Sequence, residues 1–159
     1  MKRETFFLKV VVILLAMPVL AMCIFLLPWV ISDASVSDWE YAYLVYPVSI
    51  SMYASTIPFF IALYQAYQLL SYIDKNEAFS ELSVRALRKI KFCAIAIGVL
   101  YVMTMPFFYL IGEKDDAPGV ILIGLVLAFT PMVIAVFAAV LQKLFKNAIA
   151  IKSENDLTV

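Results

Sequence analysis

Ser55, Thr56, Gln65 and Gln68 stand within one long apolar run, the two glutamines three residues apart on one side of a helix. Side chains of this kind hydrogen-bond between packed helices or line a narrow polar path. A hydroxyl can also act as a nucleophile, but only with a base beside it. The chain contains no histidine. That removes histidine-based acid–base chemistry, the usual triads, His-ligated haem and most zinc sites. Its four glycines form no phosphate-binding loop. The two cysteines, Cys23 and Cys93, are too few for a thiolate cluster. Glu113, Asp115 and Asp116 in "GEKDDAPG" could hold a hard cation through oxygen ligands. Alternatively Asp116 caps a following helix, with Pro118 in its first turn. No catalytic, cofactor or metal residue is assigned, and the chain is not expected to be an enzyme.

A second group of residues is basic. "EAFSELSVRALRKIK", residues 77–91, brings Arg85, Arg88, Lys89 and Lys91 together, and Lys146 and Lys152 lie near the end of the chain. Such residues set membrane topology, bind anionic headgroups or recruit an acidic partner.

The elements that position both groups follow from composition. Of 159 residues, 65% are apolar, and mean hydropathy is +0.97. Soluble domains are about half apolar. Residues 10–31, 47–72, 92–111 and 117–141 contain no Asp, Glu, Lys or Arg. Each is long enough to span a bilayer, which takes about 20 residues. A single charge at a helix centre would cost about 2.5–3.5 kcal/mol on insertion scales. Strands of a membrane barrel would alternate apolar and polar residues, and these runs do not. The first run follows Met-Lys-Arg as a signal peptide would, but it is too long and lacks a small-residue cleavage site, so it reads as a retained span. The expected fold is all-α, a four-helix transmembrane bundle forming a single membrane domain, with a loop at 73–91 and a tail at 142–159.

Charge orients this bundle. Four spans put both termini and the 73–91 loop on one side, and that side carries eleven of the twelve basic residues against six of the twelve acidic ones. An excess of Lys and Arg marks the cytoplasmic face. The expected arrangement is therefore multi-pass, with both termini in the cytoplasm. Cys23 and Cys93 then sit at different depths, too far apart for a disulfide. They read as small packed hydrophobes. Trp29, Trp39, Tyr41, Tyr43 and Tyr46 gather near the outer interface as an aromatic belt. Pro18, Pro58, Pro106 and Pro131 each fall inside a span, where they bend helices for packing.

The basic segment keeps helical rhythm. With Ser80 as N-cap, Leu82, Ala86, Leu87 and Ile90 share one arc, while Arg85, Arg88, Lys89 and Lys91 lie opposite, joined by Val84. No breaker precedes Phe92, so the third helix is expected to start in the cytoplasm. Leu141, Leu144, Phe145, Ala148 and Ile149 repeat at helical spacing, and the fourth helix should run on to about Lys152. The two extensions can pack apolar face to apolar face. That leaves a cytoplasmic knob with a basic skin of Arg85, Arg88, Lys89, Lys91, Lys146 and Lys152. In the second span, Ser55, Thr56, Gln65 and Gln68 form a polar packing seam. A transport path along them is the alternative, opposed by the absence of intramembrane charge.

"NEAFSELSVRALRKIKFCAIAIGVLY", "DDAPGVILIGLVL", "VIAVFAAVLQKLF" and "AIAIKSENDLTV" resemble the YoaS-like family of small four-span bacterial membrane proteins, domain of unknown function 2975. The resemblance covers nearly the whole chain and implies the bacterial cytoplasmic membrane as its location. The family has no established enzymatic activity, and its genes often neighbour one for a small helix-turn-helix regulator. The resemblance thus implies a membrane partner for such a regulator at the cytoplasmic face, without direct nucleic-acid binding by this chain. Two alternatives remain from the residues: a small transporter, channel or immunity-type protein using the polar face of span 2, and a lipid-interacting envelope protein. The bilayer itself is the expected contact, and a homo-oligomer stays open.

Overall fold

The computed structural model describes residues 2–36, 40 and 42–157, and it is helical almost throughout. Helix α1 covers Lys2–Ala21, and α2 covers Leu27–Val36. A π-helical turn at Met22–Leu26 joins them into one rod. A 3₁₀ turn at Ala42–Leu44 leads into α3, Val45–Asp74. Helix α4 is Glu81–Lys114, and α5 is Pro118–Leu157. The α1–α2 rod, α3, α4 and α5 are four helices long and apolar enough to cross a membrane. Each outruns its charge-free sequence segment, and α5 continues five residues past the expected end at Lys152.

Two helix ends close in the same way. Asn76 and Asp116 take left-handed backbone angles, φ 60° and 51°. The amides of Glu77 and Ala117 then reach back to the carbonyls of Tyr72 and Gly112, each at 2.8 Å. These are Schellman closures of α3 and α4, in which a short polar residue accepts the left-handed position. Asp116 therefore ends α4 instead of capping α5, which corrects the expected role. Ser80 does hold the N-cap backbone conformation of α4. Its hydroxyl, however, donates backward to the Glu77 carbonyl at 2.7 Å, and Ser83 donates to the same oxygen at 3.2 Å.

Extensive contact runs between consecutive spans: α5 on α4, α4 on α3, and more lightly α1 on α3. Small residues set the closest seam. Gly124, Ala128, Pro131, Ala135, Ala138 and Gln142 are buried on α5 at alternating spacings of four and three. This is the left-handed packing period, with small side chains letting backbones approach. A Cβ built on Gly98 would lie 2.6 Å from Met132, and one on Gly124 2.9 Å from Phe108. Tyr101, Phe108 and Ala128 form a core to which α3 contributes Val48 and Met52.

The same seam fixes how the extensions face. Ala86 and Leu87 are buried as the expected arc has them, but Val84 is 1% exposed and Leu82 44% exposed, so the buried stripe is rotated from that arc. On α5, Gln142 is buried while Leu141 and Leu144 are exposed. Both stripes are rotated in the same sense, because each helix continues as a rigid rod. Ala94 and Gly98 on α4, and Ala135 and Ala138 on α5, decide which side faces inward along the whole length. Phe79 from the 75–80 loop closes against Phe145 edge to face, with centroids 5.3 Å apart.

Candidate functional site

Three polar constellations stand out, and α3 contributes to all of them. Toward α4, Tyr101 donates to Ser55 at 2.7 Å, while Ser55 donates to the Met52 carbonyl at 2.9 Å. Thr104 Oγ1 lies 2.7 Å from Ser51 Oγ and 2.7 Å from the Leu100 carbonyl oxygen. Each hydroxyl has one proton, and using it on a main-chain carbonyl leaves the oxygen to accept from the neighbouring helix. The seam closes on itself, and Ser55 and Thr104 are buried in it.

Toward the first helix, α3 meets a main-chain irregularity. In the π-helical turn, the Leu27 amide bonds to the Met22 carbonyl, five residues back. The next bond in that register would join residue 28 to the Cys23 carbonyl, but residue 28 is proline and has no N–H. The Tyr53 hydroxyl supplies the missing donor, 2.9 Å from the Cys23 oxygen. Beside it, Thr56 donates to the Met52 carbonyl at 2.9 Å, and the Cys23 sulfur lies 3.3 Å from the Thr56 oxygen. A widened turn also relieves the clash between a proline ring and the carbonyl four residues earlier. Pro18, Pro58, Pro106 and Pro131 lie inside α-helices, so Pro28 is the proline associated with a register change.

At the opposite end of the first helix, Asp74 receives two side chains. Lys9 Nζ donates to Asp74 Oδ2 at 2.8 Å, and the Thr5 hydroxyl donates to Asp74 Oδ1. The Lys9 ammonium also sits 5.2 Å from the Tyr67 ring centroid. Thr5 is buried, although it precedes the apolar run. Sequence reasoning counted Lys9 and Asp74 only as topology charges. The signal that could have paired them was an acid and a base at the same expected depth, at the ends of two different spans.

Of the residues singled out from sequence, Ser55 and Thr56 enter these contacts. Gln68 donates from Nε2 to the Tyr64 hydroxyl on its own helix at 2.8 Å, and Gln65 is half-buried. Arg85, Arg88, Lys89, Lys146 and Lys152 are exposed. Lys91 is half-buried, its ammonium 5.0 Å from the Phe92 ring centroid. An open groove beside the knob is lined by Phe79, Ala148, Ile151, Lys152, Glu154 and Asn155. Lys152 therefore borders an apolar floor, whereas Arg85 and Arg88 stand on the outer side of α4. Both cysteines are free thiols. Among the described residues, no three His, Cys, Asp or Glu side chains converge as a metal site. Trp29, Tyr43 and Tyr46 are exposed aromatics, while Trp39 and Tyr41 of the expected belt lie outside the described residues.

Residues 29–159 match a family described as protein of unknown function, DUF2975. The chain is 59% identical over 158 residues to the uncharacterized membrane protein YoaS of Bacillus subtilis (strain 168), covering 99% of each. No solved structure matches.

Proposed function

The chain belongs to the DUF2975 family and is a multi-pass membrane protein, and from that premise we propose that it is a regulatory or scaffolding protein whose cytoplasmic face holds a protein partner. The observation that carries this reading is the shared overhang of α4 and α5. At 1.5 Å per residue they are roughly 50 and 60 Å long, against a hydrocarbon layer of about 30 Å. Only residues 115–117 connect them, so their ends there are level and the excess collects at the other end. Lipid contact does not require so long a paired rod. The overhang offers an apolar groove floored by Phe79, Ala148 and Ile151, with exposed Arg85, Arg88, Lys89, Lys146 and Lys152 on the same knob. Charge of this kind speeds encounter with an acidic surface, and apolar contact holds the complex. A small helix-turn-helix regulator, the partner implied by the resemblance, is the first candidate. The closed hydroxyl seam between α3 and α4 favours a packing role over a transport path. The reading includes no catalytic step, and the excess of basic residues supports a cytoplasmic position for the knob.

The test is recovery of partners from detergent-solubilised membranes with Arg85→Gln and Arg88→Gln combined. Recovery should fall several-fold and lose the salt dependence that the unsubstituted protein shows, with abundance and insertion unchanged. Orientation is read in the same cells, where an impermeant thiol reagent should label a cysteine at Lys114 and spare one at Ser153. Unchanged recovery alongside weaker binding to anionic liposomes would make the basic skin a lipid contact and end the partner reading.

A further inference from the structure

Among the described residues, one face of α3 is left without a neighbour in the protomer. Tyr53, Thr56, Tyr67 and Asp74 point to the first helix, while Ser51 and Ser55 point to α4. Between these directions lie Ile50, Ala54, Ile57, Ile61, Tyr64 and Gln68, all within an arc of about 80° at 100° per residue. Ile50, Ile57, Ile61 and Tyr64 are exposed, Ile57 by 67%. The six residues follow one another at spacings of four, three, four, three and four. That is an uninterrupted heptad seam, with small Ala54 among branched residues and an amide, Gln68, in one seam position.

We propose that this face of α3 is the interface of a parallel homodimer, sealed by Gln68 and Tyr64 from both copies. The argument for a second copy rests on depth and on hydrogen-bond complementarity. Gln68 lies six residues, roughly 9 Å of helix, inward of the Lys9–Asp74 pair and within the charge-free run 47–72. An amide facing lipid tails there has no water to bond. Gln68 uses one proton on Tyr64, which leaves its oxygen, its second proton and the phenol proton for a partner. Two copies of one chain share a topology, so their α3 helices run parallel. Their Gln68 and Tyr64 side chains therefore meet at equal depth, with donors matched to acceptors. A different protein would need its own amide at that level, and a lipid acyl chain offers neither donor nor acceptor. In parallel coiled coils a single polar seam residue fixes register and copy number.

The test uses the full chain in native membranes, with Cys23→Ser and Cys93→Ala as background. Single cysteines are placed at Ile57, at Ile61 and, as a control facing away on α5, at Phe129, which is also exposed. On mild oxidation, Ile57→Cys and Ile61→Cys should give a disulfide-linked dimer in several-fold higher yield than Phe129→Cys, since the bond needs Cα atoms within about 7 Å. Adding Gln68→Leu should lower the Ile57→Cys yield several-fold at equal abundance. Equal yields at Phe129→Cys, no dimer at either α3 position, a cross-link to a protein of another mass, or indifference to Gln68→Leu would each overturn the proposal.

Discussion

Restoring an N–H at residue 28 should make the Tyr53 hydroxyl dispensable. Tyr53 bonds the Cys23 carbonyl because proline cannot. Side-chain hydrogen bonds between membrane helices average about 0.6 kcal/mol and reach about 1.7 kcal/mol. This one satisfies a carbonyl with no other donor in its helix register, so Tyr53→Phe should cost about 1–1.7 kcal/mol, near the top of that range. In Pro28→Ala, the Cys23 oxygen regains a main-chain donor whichever way the turn settles. Residue 28 supplies it if the turn stays wide, and Leu27 supplies it if the helix relaxes to the α register. In that background Tyr53→Phe should cost close to nothing, leaving a coupling energy of about 1 kcal/mol. The assay is reversible unfolding of the four variants in one detergent, with Thr56→Val as a nearby comparison that leaves the Cys23 carbonyl alone. Equal costs of Tyr53→Phe with and without Pro28 would refute the assignment of the widened turn to proline.

The glycines give a graded series. Gly124→Ala drives a methyl to within 2.9 Å of the Phe108 ring and 3.0 Å of Met105 Sδ, and should lower stability by about 1–3 kcal/mol. Gly98→Ala meets only the flexible end of Met132 and should cost less, while Gly119→Ala meets nothing within 4 Å and should be neutral or stabilising. Melting temperatures in detergent rank the three, and a loss at Gly119 larger than at Gly124 would contradict the seam. Lys9→Gln and Asp74→Asn should each lower the melting temperature at low salt, with the double variant no worse than the poorer single one. Additive losses would mean that the two charges act separately.

Much of this architecture is legible in the sequence, because bilayer thickness imposes long uncharged runs that need no knowledge of contacts. The continuity of α4 through Lys91 and Phe92 follows equally from the absence of a breaker. The rotational setting of the extensions does not. An arc drawn on the largest apolar residues assumes that burial follows hydrophobicity, and so favours Leu82 and Leu144 over Val84 and Gln142. Inside a membrane, lipid is as apolar as leucine, and burial follows close approach instead. Gly98, Ala94, Ala135 and Ala138 therefore steer the packing. The groove beside Lys152 depends on that rotation, so a list of basic residues alone could not reveal it.

The polar contacts of the first helix were hidden for a different reason. Each joins residues 30 to 69 positions apart, and each looks unremarkable alone: two threonines, one lysine and one tyrosine, with a proline behind the last. Together they show two ways of joining helices in one chain. Helices α4 and α5 are joined along their length by small residues, through many weak contacts that a single loss barely loosens. The first helix is joined to α3 at two points, Asp74 at one end and the Cys23 carbonyl at the other, with lighter packing between them. Dispersion along a close seam is indifferent to charge, whereas the Lys9–Asp74 tether is partly solvated and weakens with salt or a competing cation. The two joints respond to different chemistry, so the first helix can be loosened while the α4–α5 rod, and the knob it carries, stays intact.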